Sequence, residues 1–230
     1  MASTGPSNNP QGLEFATHGT NDGRLPQDRN ITMIKGSSQR HGQHDVNPLF
    51  TDRWSARALS GEPLTEAQLR QLFEAARWAP SSSNSQPWRI LYARRGGDFF
   101  PAFLDLLVPA NQAWAQKAGA LLVVLSRTHS DEGRPLLNHA YDTGAAWMSL
   151  ALQAWLSGIV CHGIGGFDRE KARRVLRVPE GYEVQAMAVL GHPGDVAALP
   201  EPARAREKPS DRRAQEQSVC EGPFAFQQPG

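Results

Sequence analysis

Two arginines and a serine occupy alternate positions in the segment Arg53-Trp54-Ser55-Ala56-Arg57. A guanidinium group presents its donors in a rigid planar fork, which suits the oxygens of phosphate and carbonyl groups. Two such groups four residues apart, with a hydroxyl between them, can line one side of an anionic ligand. Considered alone, such a segment is more often a solvated basic patch. Other segments of the chain are needed to decide between a ligand-binding segment and a basic patch.

A second candidate segment is the polar loop at residues 79–88, with the sequence APSSSNSQPW. It lies between a predicted helix and a predicted strand, and binding residues concentrate in loops that rigid elements hold in place. A serine nucleophile would need a nearby base and a third group to orient that base, and the loop contains neither. We expect hydrogen bonding from its hydroxyls and amides, although a simple turn-rich connection uses the same residue types.

The third segment, residues 158–168, contains the glycine cluster GIGG at positions 163–166. Adjacent glycines allow the backbone to approach a planar ligand closely. The cluster is not a dinucleotide-binding fingerprint, because the third glycine of that pattern would fall at Asp168. The sequence also has no Walker A motif and no GxSxG nucleophile elbow. His139 and His162 have no cysteine or histidine at ligand spacing, so no metal site is predicted.

Composition narrows the class of protein. The 230 residues carry a formal net charge of +1, which gives no general attraction to nucleic acid or to an anionic membrane. Two cysteines, Cys161 and Cys220, are too few for a disulfide framework and are expected to be free thiols. The N-terminus lacks a signal-peptide pattern, and the most apolar segment is short for a membrane span. We therefore expect a cytoplasmic protein that binds neither nucleic acid nor membrane.

The chain is predicted to divide into an extension and one domain. Residues 1–48 are rich in Gly, Ser, Asn, Pro, Gln and His, and such a segment cannot bury enough apolar surface to become ordered. They are predicted to be a disordered N-terminal extension, within which Met33 is a candidate for the true start. Residues 49–230 have the length for one domain with a sizeable core.

The periodicity of the domain predicts helices and strands in an irregular order. Thr65 and Gln68 have capping-box spacing, and the apolar residues after them predict a helix that Pro80 ends. The other predicted elements are strands at 88–94, 120–126, 183–190 and 219–226, helices at 99–117 (broken by Pro101 and Pro109) and 138–156, and a helix capped by Asp168. Helix 138–156 is apolar nearly all round, which is typical of a helix buried on all sides or in an oligomer interface. The order predicts an α+β or mixed three-layer domain.

The three segments, in this order and spacing, resemble the nitroreductase (flavin reductase) superfamily. The resemblance runs from roughly residue 47 to residue 226 and is carried by EAARWAPSSSNSQPWRILYA, DTGAAWMSLALQAWLSGIVCHGIGGFD and VPEGYEVQAMAVLGHPGD. It implies an α+β, three-layer αβα fold with a mixed, mainly antiparallel central sheet. It also implies an intertwined homodimer with FMN sites at the interface.

The resemblance further implies which residues bind FMN. The first segment is the family's N-terminal flavin-binding motif, the loop reaches the flavin of the partner subunit, and the glycine segment covers one face of the ring. Asn111 corresponds to the family's asparagine on the pyrimidine side of the flavin ring. Arg212 corresponds to the basic residue that binds the FMN phosphate, and Lys208 and Arg206 are alternatives for that role. The implied cofactor-binding residues are Arg53, Trp54, Ser55, Arg57, Pro80, Ser81, Ser82, Asn84, Gln86, Asn111, Ile164, Gly165, Gly166, Lys208 and Arg212.

One position departs from the family pattern. Many members have a lysine three residues after the asparagine, where this chain has Trp114. A cation near N1 and O2 of a flavin stabilises the anionic form of the ring. Arg57 would have to supply that charge here, and Trp114 is expected to pack near the ring.

The resemblance implies an FMN-dependent oxidoreductase that uses NADH or NADPH to reduce a small electron-poor acceptor, such as a nitroaromatic or a quinone. In the implied ping-pong mechanism, the nucleotide transfers hydride to the flavin and leaves. The acceptor then binds in the same place. The flavin performs the redox chemistry, so no side chain is predicted to be catalytic. Two alternatives remain open on the same fold. One is a specialised flavin enzyme, such as an oxidase, a dehalogenase or a flavin-cleaving enzyme. The other is an FMN-storing protein.

Overall fold

A four-stranded antiparallel sheet forms the centre of the molecule. The computed structural model describes residues 33–226, and its strands lie in the order β1-β2-β4-β3. They are β1 (Trp88–Arg94), β2 (Ala120–Arg127), β3 (Val160–Ile164) and β4 (Tyr182–Gly191). Every neighbouring pair is antiparallel. The α+β class and the mainly antiparallel sheet are confirmed, and within residues 33–226 the sheet is antiparallel throughout.

Helices cover both faces of this sheet. They are α1 (Pro48–Asp52), α2 (Glu66–Arg77), α3 (Phe100–Leu104), α4 (Pro109–Ala115), α5 (His139–Leu156), α6 (Arg169–Val175) and α7 (Glu201–Arg204). The buried residues form two clusters. Leu72 of α2 and Leu150 of α5 belong to one cluster, and Phe103 of α3 and Ala172 of α6 belong to the other. This arrangement is the three-layer architecture that was predicted.

Strand β2 is the centre of both clusters. Successive side chains of a strand point to opposite faces of the sheet, so Leu121 and Val123 join one cluster and Leu122 joins the other. All residues of β2 except its last, Arg127, are buried. Burial on both faces explains why this strand is a continuous apolar run and does not alternate with polar residues.

Capping residues and prolines set where the helices begin. Thr65 and Gln68 form the predicted capping box at the start of α2, and Asp168 caps α6 by accepting a backbone hydrogen bond. Pro101 and Pro109 lie in the first turns of α3 and α4, where a missing N–H leaves no hydrogen bond unmade. The two prolines therefore begin two short helices, and the predicted helix 99–117 is divided by a turn.

Helix α5 has nearly the predicted bounds. Ala146, Leu150 and other residues on one side are buried against α2 and the sheet. On the other side Tyr141, Met148 and Leu156 are exposed. A single chain therefore leaves an apolar stripe of this helix uncovered, so the helix is not buried on all sides within one chain.

Two strand predictions were wrong. The sequence predicts no strand at residues 160–164, yet they form β3, with Cys161 opposite Leu190. Five residues that include a glycine show too little periodicity to indicate a strand, and the pairing with β4 supplies what the local pattern lacks. Residues 219–226 form no strand, because they lie beside no partner strand of their own chain, and a strand is stable only when it is paired.

The packed region begins before residue 49. The indole N–H of Trp54 donates to the backbone oxygen of Ile34 at 2.7 Å, and the side chain of Ser37 donates to Asp52. These long-range hydrogen bonds hold residues 34–37 against α1, and composition alone gives no sign of them. Residues 1–32, the remainder of the predicted extension, lie outside the described residues.

His162 of β3 is buried beneath the arginine-containing segment. Its ring lies 4.8 Å from that of Trp114, centroid to centroid, and Nδ1 donates to the backbone oxygen of Ala56 at 2.9 Å. Burial lowers the pKa of His162 to about 4 despite this hydrogen bond, and the charges of Arg57 and Arg53 act in the same direction as burial. The imidazole is therefore neutral at neutral pH.

The low pKa of His162 predicts a loss of stability in mild acid. The unfolded chain protonates a histidine near pH 6.5, whereas the folded protein resists protonation of His162 down to about pH 4. Between these values the unfolded state binds more protons, so the free energy of unfolding must fall as the pH falls. We expect this group to contribute a slope of at most about 1.4 kcal/mol per pH unit.

Urea denaturation between pH 7 and pH 4 measures this slope. His162→Asn is the test variant, because its amide can still donate to Ala56 but does not titrate. His44→Asn, at an exposed histidine, is the control and should keep the wild-type slope. If His162→Asn folds and also keeps the wild-type slope, the assignment of the acid sensitivity to His162 is wrong.

Candidate functional site

The segment after α1 presents the predicted anion-binding residues on one side. Trp54 and Ala56 are buried, whereas Arg53, Ser55 and Arg57 are half-buried. This alternation is typical of an extended chain, in which successive side chains point to opposite sides. The two guanidinium groups and the hydroxyl therefore share a side, as the sequence indicated. The side chain of Trp54 lies in the core instead and supports the segment from beneath.

Arg53 has a half-buried guanidinium group with no hydrogen-bond or ion-pair partner among residues 33–226. Burial lowers its pKa, the neighbouring Cys161 opposes this shift, and the charge of Arg212 adds to it. A desolvated cation without an anionic partner is unfavourable. Arg53 is therefore suited to bind an anionic group supplied from outside the chain.

Glu207 joins the C-terminal segment to the arginine segment. Its side chain is 1% exposed and lies 3.8 Å from Nη1 of Arg57. Its carboxylate also accepts the backbone N–H groups of Arg57 at 2.8 Å and Ala58 at 2.9 Å. Sequence reasoning missed this residue, because a single glutamate in a polar, charged tail gives no signal. Its partners are 149 or more positions away.

The C-terminal basic residues lie near the arginine segment as a consequence. Arg40 and Arg212 line the same cavity, Arg40 donates to the backbone oxygen of Arg53, and the charge of Arg212 lowers the pKa of both Arg53 and Arg40. Lys208 is exposed, and its ammonium group has no partner among the described residues. Arg206 contributes its backbone oxygen, which accepts from Arg57 at 3.2 Å. The geometry thus favours Arg212 among the three predicted candidates for the phosphate.

Asn111 and the glycine segment form a second part of the site. Nδ2 of Asn111 donates to the backbone oxygen of Gly166 at 3.0 Å. A Cβ atom at Gly166 would stand 2.7 Å from that nitrogen, so a side chain at this position would displace the Asn111 amide. At Gly165 a Cβ atom would meet no atom within 4 Å. Ile164 ends β3 and is buried, so the open backbone begins directly after the sheet.

Trp114 connects the two parts of the site through the core. It is 2% exposed and packs against His162 with the ring planes tilted by 41°, and its ring centroid lies 6.0 Å from the guanidinium carbon of Arg57. Its Nε1 has no hydrogen-bond partner within the described chain. The position where many family members have a lysine is therefore apolar in this chain, and Arg57 is the cation next to it.

The polar loop after α2 has a strained and well-supported backbone. Ser83, Asn84 and Gln86 have φ values of 50°, 54° and 45°, a region that non-glycine residues rarely adopt. The N–H of Ser82 donates to the buried carboxylate of Asp142 at 3.0 Å. Ser81 accepts the N–H of Gln86 at 3.0 Å. Such strain persists only where surrounding contacts enforce it, and it is common at ligand sites.

Within the described residues of one chain, this loop makes no hydrogen bond or ion pair with the arginine segment, with Asn111 or with the glycine segment. Pro80, Ser82, Asn84 and Gln86 are exposed. The structure therefore joins the first and third segments in one chain, through the His162–Ala56 hydrogen bond, whereas the loop forms no such bond to either of them among the described residues. Asp142, which sequence reasoning missed, supports the loop from the first turn of α5.

The chemistry of these groups fits FMN. Arg53 and Arg212 suit a phosphate, and Asn111 retains a free amide oxygen for the polar edge of a ring. The backbone at Gly165 leaves space for a planar group.

No helix among residues 33–226 is long and apolar enough to cross a membrane. No group of three or more His, Cys, Asp or Glu side chains in that range is placed to hold a metal ion.

Comparisons with known proteins identify relatives of this chain. The sequence profile of the nitroreductase family matches residues 50–105. An NADH dehydrogenase of Thermus thermophilus is 30% identical over 185 residues, which cover 66% of this chain and 88% of that protein. An uncharacterized 15.4 kDa protein of Mycolicibacterium smegmatis is 34% identical over 143 residues, which cover 58% of this chain and 95% of that protein.

Solved structures share the fold. A crystal structure described as an oxidoreductase containing FMN is 41% identical with a TM-score of 0.80, over 84% of this chain and 100% of that chain. A nitroreductase family protein of Streptococcus pneumoniae is 18% identical with a TM-score of 0.61, over 76% of this chain and 98% of that chain. Given these relatives and the family profile, the chain belongs to the nitroreductase family.

Proposed function

We propose that this protein is an FMN-dependent oxidoreductase that uses NADH or NADPH to reduce small electron-poor acceptors such as nitroaromatics and quinones. The observation that carries the proposal is the half-buried Arg53 guanidinium, which lies beside Arg212 and has no partner in the described chain. The 41% identical oxidoreductase containing FMN supports the cofactor. The related NADH dehydrogenase supports the electron donor.

The chain binds and orients the cofactor, and FMN, when bound, supplies the redox chemistry. Arg53 and Arg212 hold the phosphate through charge-assisted hydrogen bonds. Asn111 offers its free amide oxygen to the polar edge of the ring, while its amide nitrogen remains on Gly166. The glycine segment offers backbone N–H groups and a surface without side chains.

Arg57 and Trp114 set the electrostatics near the ring. Arg57 is the cation beside the tryptophan, but its charge is partly neutralised by Glu207 at 3.8 Å. Negative charge in this part of the site is therefore stabilised less than it would be by an unpaired lysine. His162 is no proton donor at neutral pH, because its pKa is about 4 and its Nδ1–H is used on Ala56. We propose no catalytic side chain.

The visible spectrum of the freshly purified protein tests the proposal. We expect a flavin absorption band, after incubation with FMN if necessary, that bleaches within seconds when NADH or NADPH is added without oxygen. A nitroaromatic or quinone added afterwards should restore the band. Comparing the two nucleotides in the same experiment identifies the donor.

The other outcomes have equally definite meanings. A band that bleaches with dithionite but not with either nucleotide would replace the proposal with FMN storage. Rapid bleaching without recovery by nitroaromatics or quinones would indicate a specialised flavin enzyme. If the protein takes up no FMN at all, the cofactor assignment is wrong.

We propose in addition that the protein is a homodimer in which the polar loop of one chain reaches the FMN of the other. Two observations support this arrangement. The loop is separate from the arginine segment within one chain, and α5 leaves Tyr141, Met148 and Leu156 exposed. Burial of this stripe between two chains would couple assembly to cofactor binding.

Aspartate substitutions on the exposed stripe test the dimer. Met148→Asp and Leu156→Asp place a charge on side chains that are exposed in the single chain, so each chain should still fold. The same charge should disfavour an apolar interface that buries these positions. Trp147 is unsuitable, because it packs against Gly163 of its own chain. Light scattering should show monomers with little bound FMN, whereas Ala67→Asp on the exposed side of α2 should remain dimeric. Monomers that retain FMN would refute the shared site.

A pair of glycine variants tests whether the glycine segment faces the cofactor. In Gly165→Ala the new methyl group meets no protein atom, so the melting temperature without FMN should stay at the wild-type value. FMN affinity should nevertheless fall by about tenfold, or about 1.4 kcal/mol. In Gly166→Ala the methyl group meets Asn111, so both quantities should fall. Unchanged FMN affinity in Gly165→Ala would place the cofactor elsewhere.

A further inference from the structure

Arg40 lies outside the segments that resemble the family, yet it contacts both parts of the chain that carry the proposed phosphate-binding arginines. Its Nη1 donates to the backbone oxygens of Thr51 at 2.9 Å and Arg53 at 2.6 Å. Its Nε donates to the backbone oxygen of Ser210 at 2.9 Å. One side chain thus joins the backbone at Arg53 to the backbone two residues before Arg212.

The guanidinium group of Arg40 lies close to other positive charges. Burial lowers the pKa of Arg40, Arg212 and Arg53 lower it further, and only Asp211 raises it. Asp211 is already engaged by the ring of His41 at 3.2 Å. Arg40 therefore faces two guanidinium groups and one carboxylate, and this excess of positive charge is repulsive until an anion binds.

A cavity beside Arg40 offers room for such an anion. Its volume is about 440 Å³, and its lining includes Arg40, Thr51, Arg212, Arg213 and Asp211. Arg53 does not line it and adjoins it through its backbone contact with Arg40. This volume is in the range of small-molecule sites, which accommodates a ligand with a phosphate at one end. Nη2 of Arg40 has no partner within residues 33–226, so one donor pair of the guanidinium fork remains for the ligand.

We infer that Arg40 is a third phosphate-binding residue, which positions Arg53 and the segment before Arg212 through the backbone oxygens of Arg53 and Ser210 and donates to the terminal phosphate of FMN through its free nitrogen. The inference rests on the proposed FMN function and extends it to a new part of the chain. The segment that contains Arg40 then belongs to the cofactor site, although its composition resembles a linker.

Binding of FMN and riboflavin to matched variants tests this role, because riboflavin lacks only the phosphate. We would measure dissociation constants by flavin fluorescence for the wild type, Arg40→Gln, Arg40→Lys and Arg174→Gln. Arg174 is an exposed arginine on α6 and serves as the control. Arg40→Gln should weaken FMN binding by about tenfold or more, the scale of one lost charged hydrogen bond. Riboflavin binding should change by less than about twofold. Arg40→Lys should recover part of the loss.

Comparing FMN with riboflavin distinguishes a phosphate-binding role of Arg40 from a general effect on the fold. If Arg40→Gln weakens FMN and riboflavin equally, Arg40 acts only on the fold and the inference is overturned. If Arg40→Gln binds FMN as the wild type does, the inference is overturned while the proposed function stands. If the wild type binds neither flavin, both fail. Thermal unfolding of each variant without ligand identifies any that have lost the fold, and Arg40→Lys then supplies the comparison.

Discussion

A buried carboxylate holds together the two chain segments on which the rest of the site depends. Glu207 accepts two consecutive backbone N–H groups next to Arg57 and pairs with that guanidinium. Because a buried carboxylate must satisfy its hydrogen-bonding capacity, these contacts determine where the C-terminal segment lies. Arg212 is brought to Arg53 as a result, and Arg40 links the same two segments from the other end.

The side chain of Arg40 is held in place by groups that do not neutralise its charge. The charge of Arg212 lowers the pKa of Arg53, and the charges of Arg212 and Arg53 lower the pKa of Arg40. Backbone carbonyls, not carboxylates, are the hydrogen-bond partners of Arg40. Carbonyl oxygens hold a guanidinium in place without neutralising it. A set of donors fixed in advance loses little conformational freedom on binding a phosphate, which is the condition for tight recognition.

Much of the fold could be predicted from local pattern. The capping box at Thr65, the continuous apolar run of β2 and the long helix α5 each carry enough residues for their period to be unmistakable. Strand β3 could not be predicted, because five residues with a glycine show no period and are stabilised by pairing with β4. Among the site residues, the alternation of Arg53, Ser55 and Arg57 was visible in the sequence, and the structure places all three on one side of the segment.

The sequence by itself determined the residue types of the site, the resemblance to the family and the order of most elements, because motifs, their order along the chain and local periodicity carry them. Only the tertiary structure decided which charged residues meet. The partners of Glu207 and the Ser210 contact of Arg40 lie about 150 to 170 positions away. It also decided that Trp54 belongs to the core and that residues 34–40 belong to the folded region. Long-range hydrogen bonds leave no periodic trace in a sequence, since each depends on one side chain and one distant backbone group.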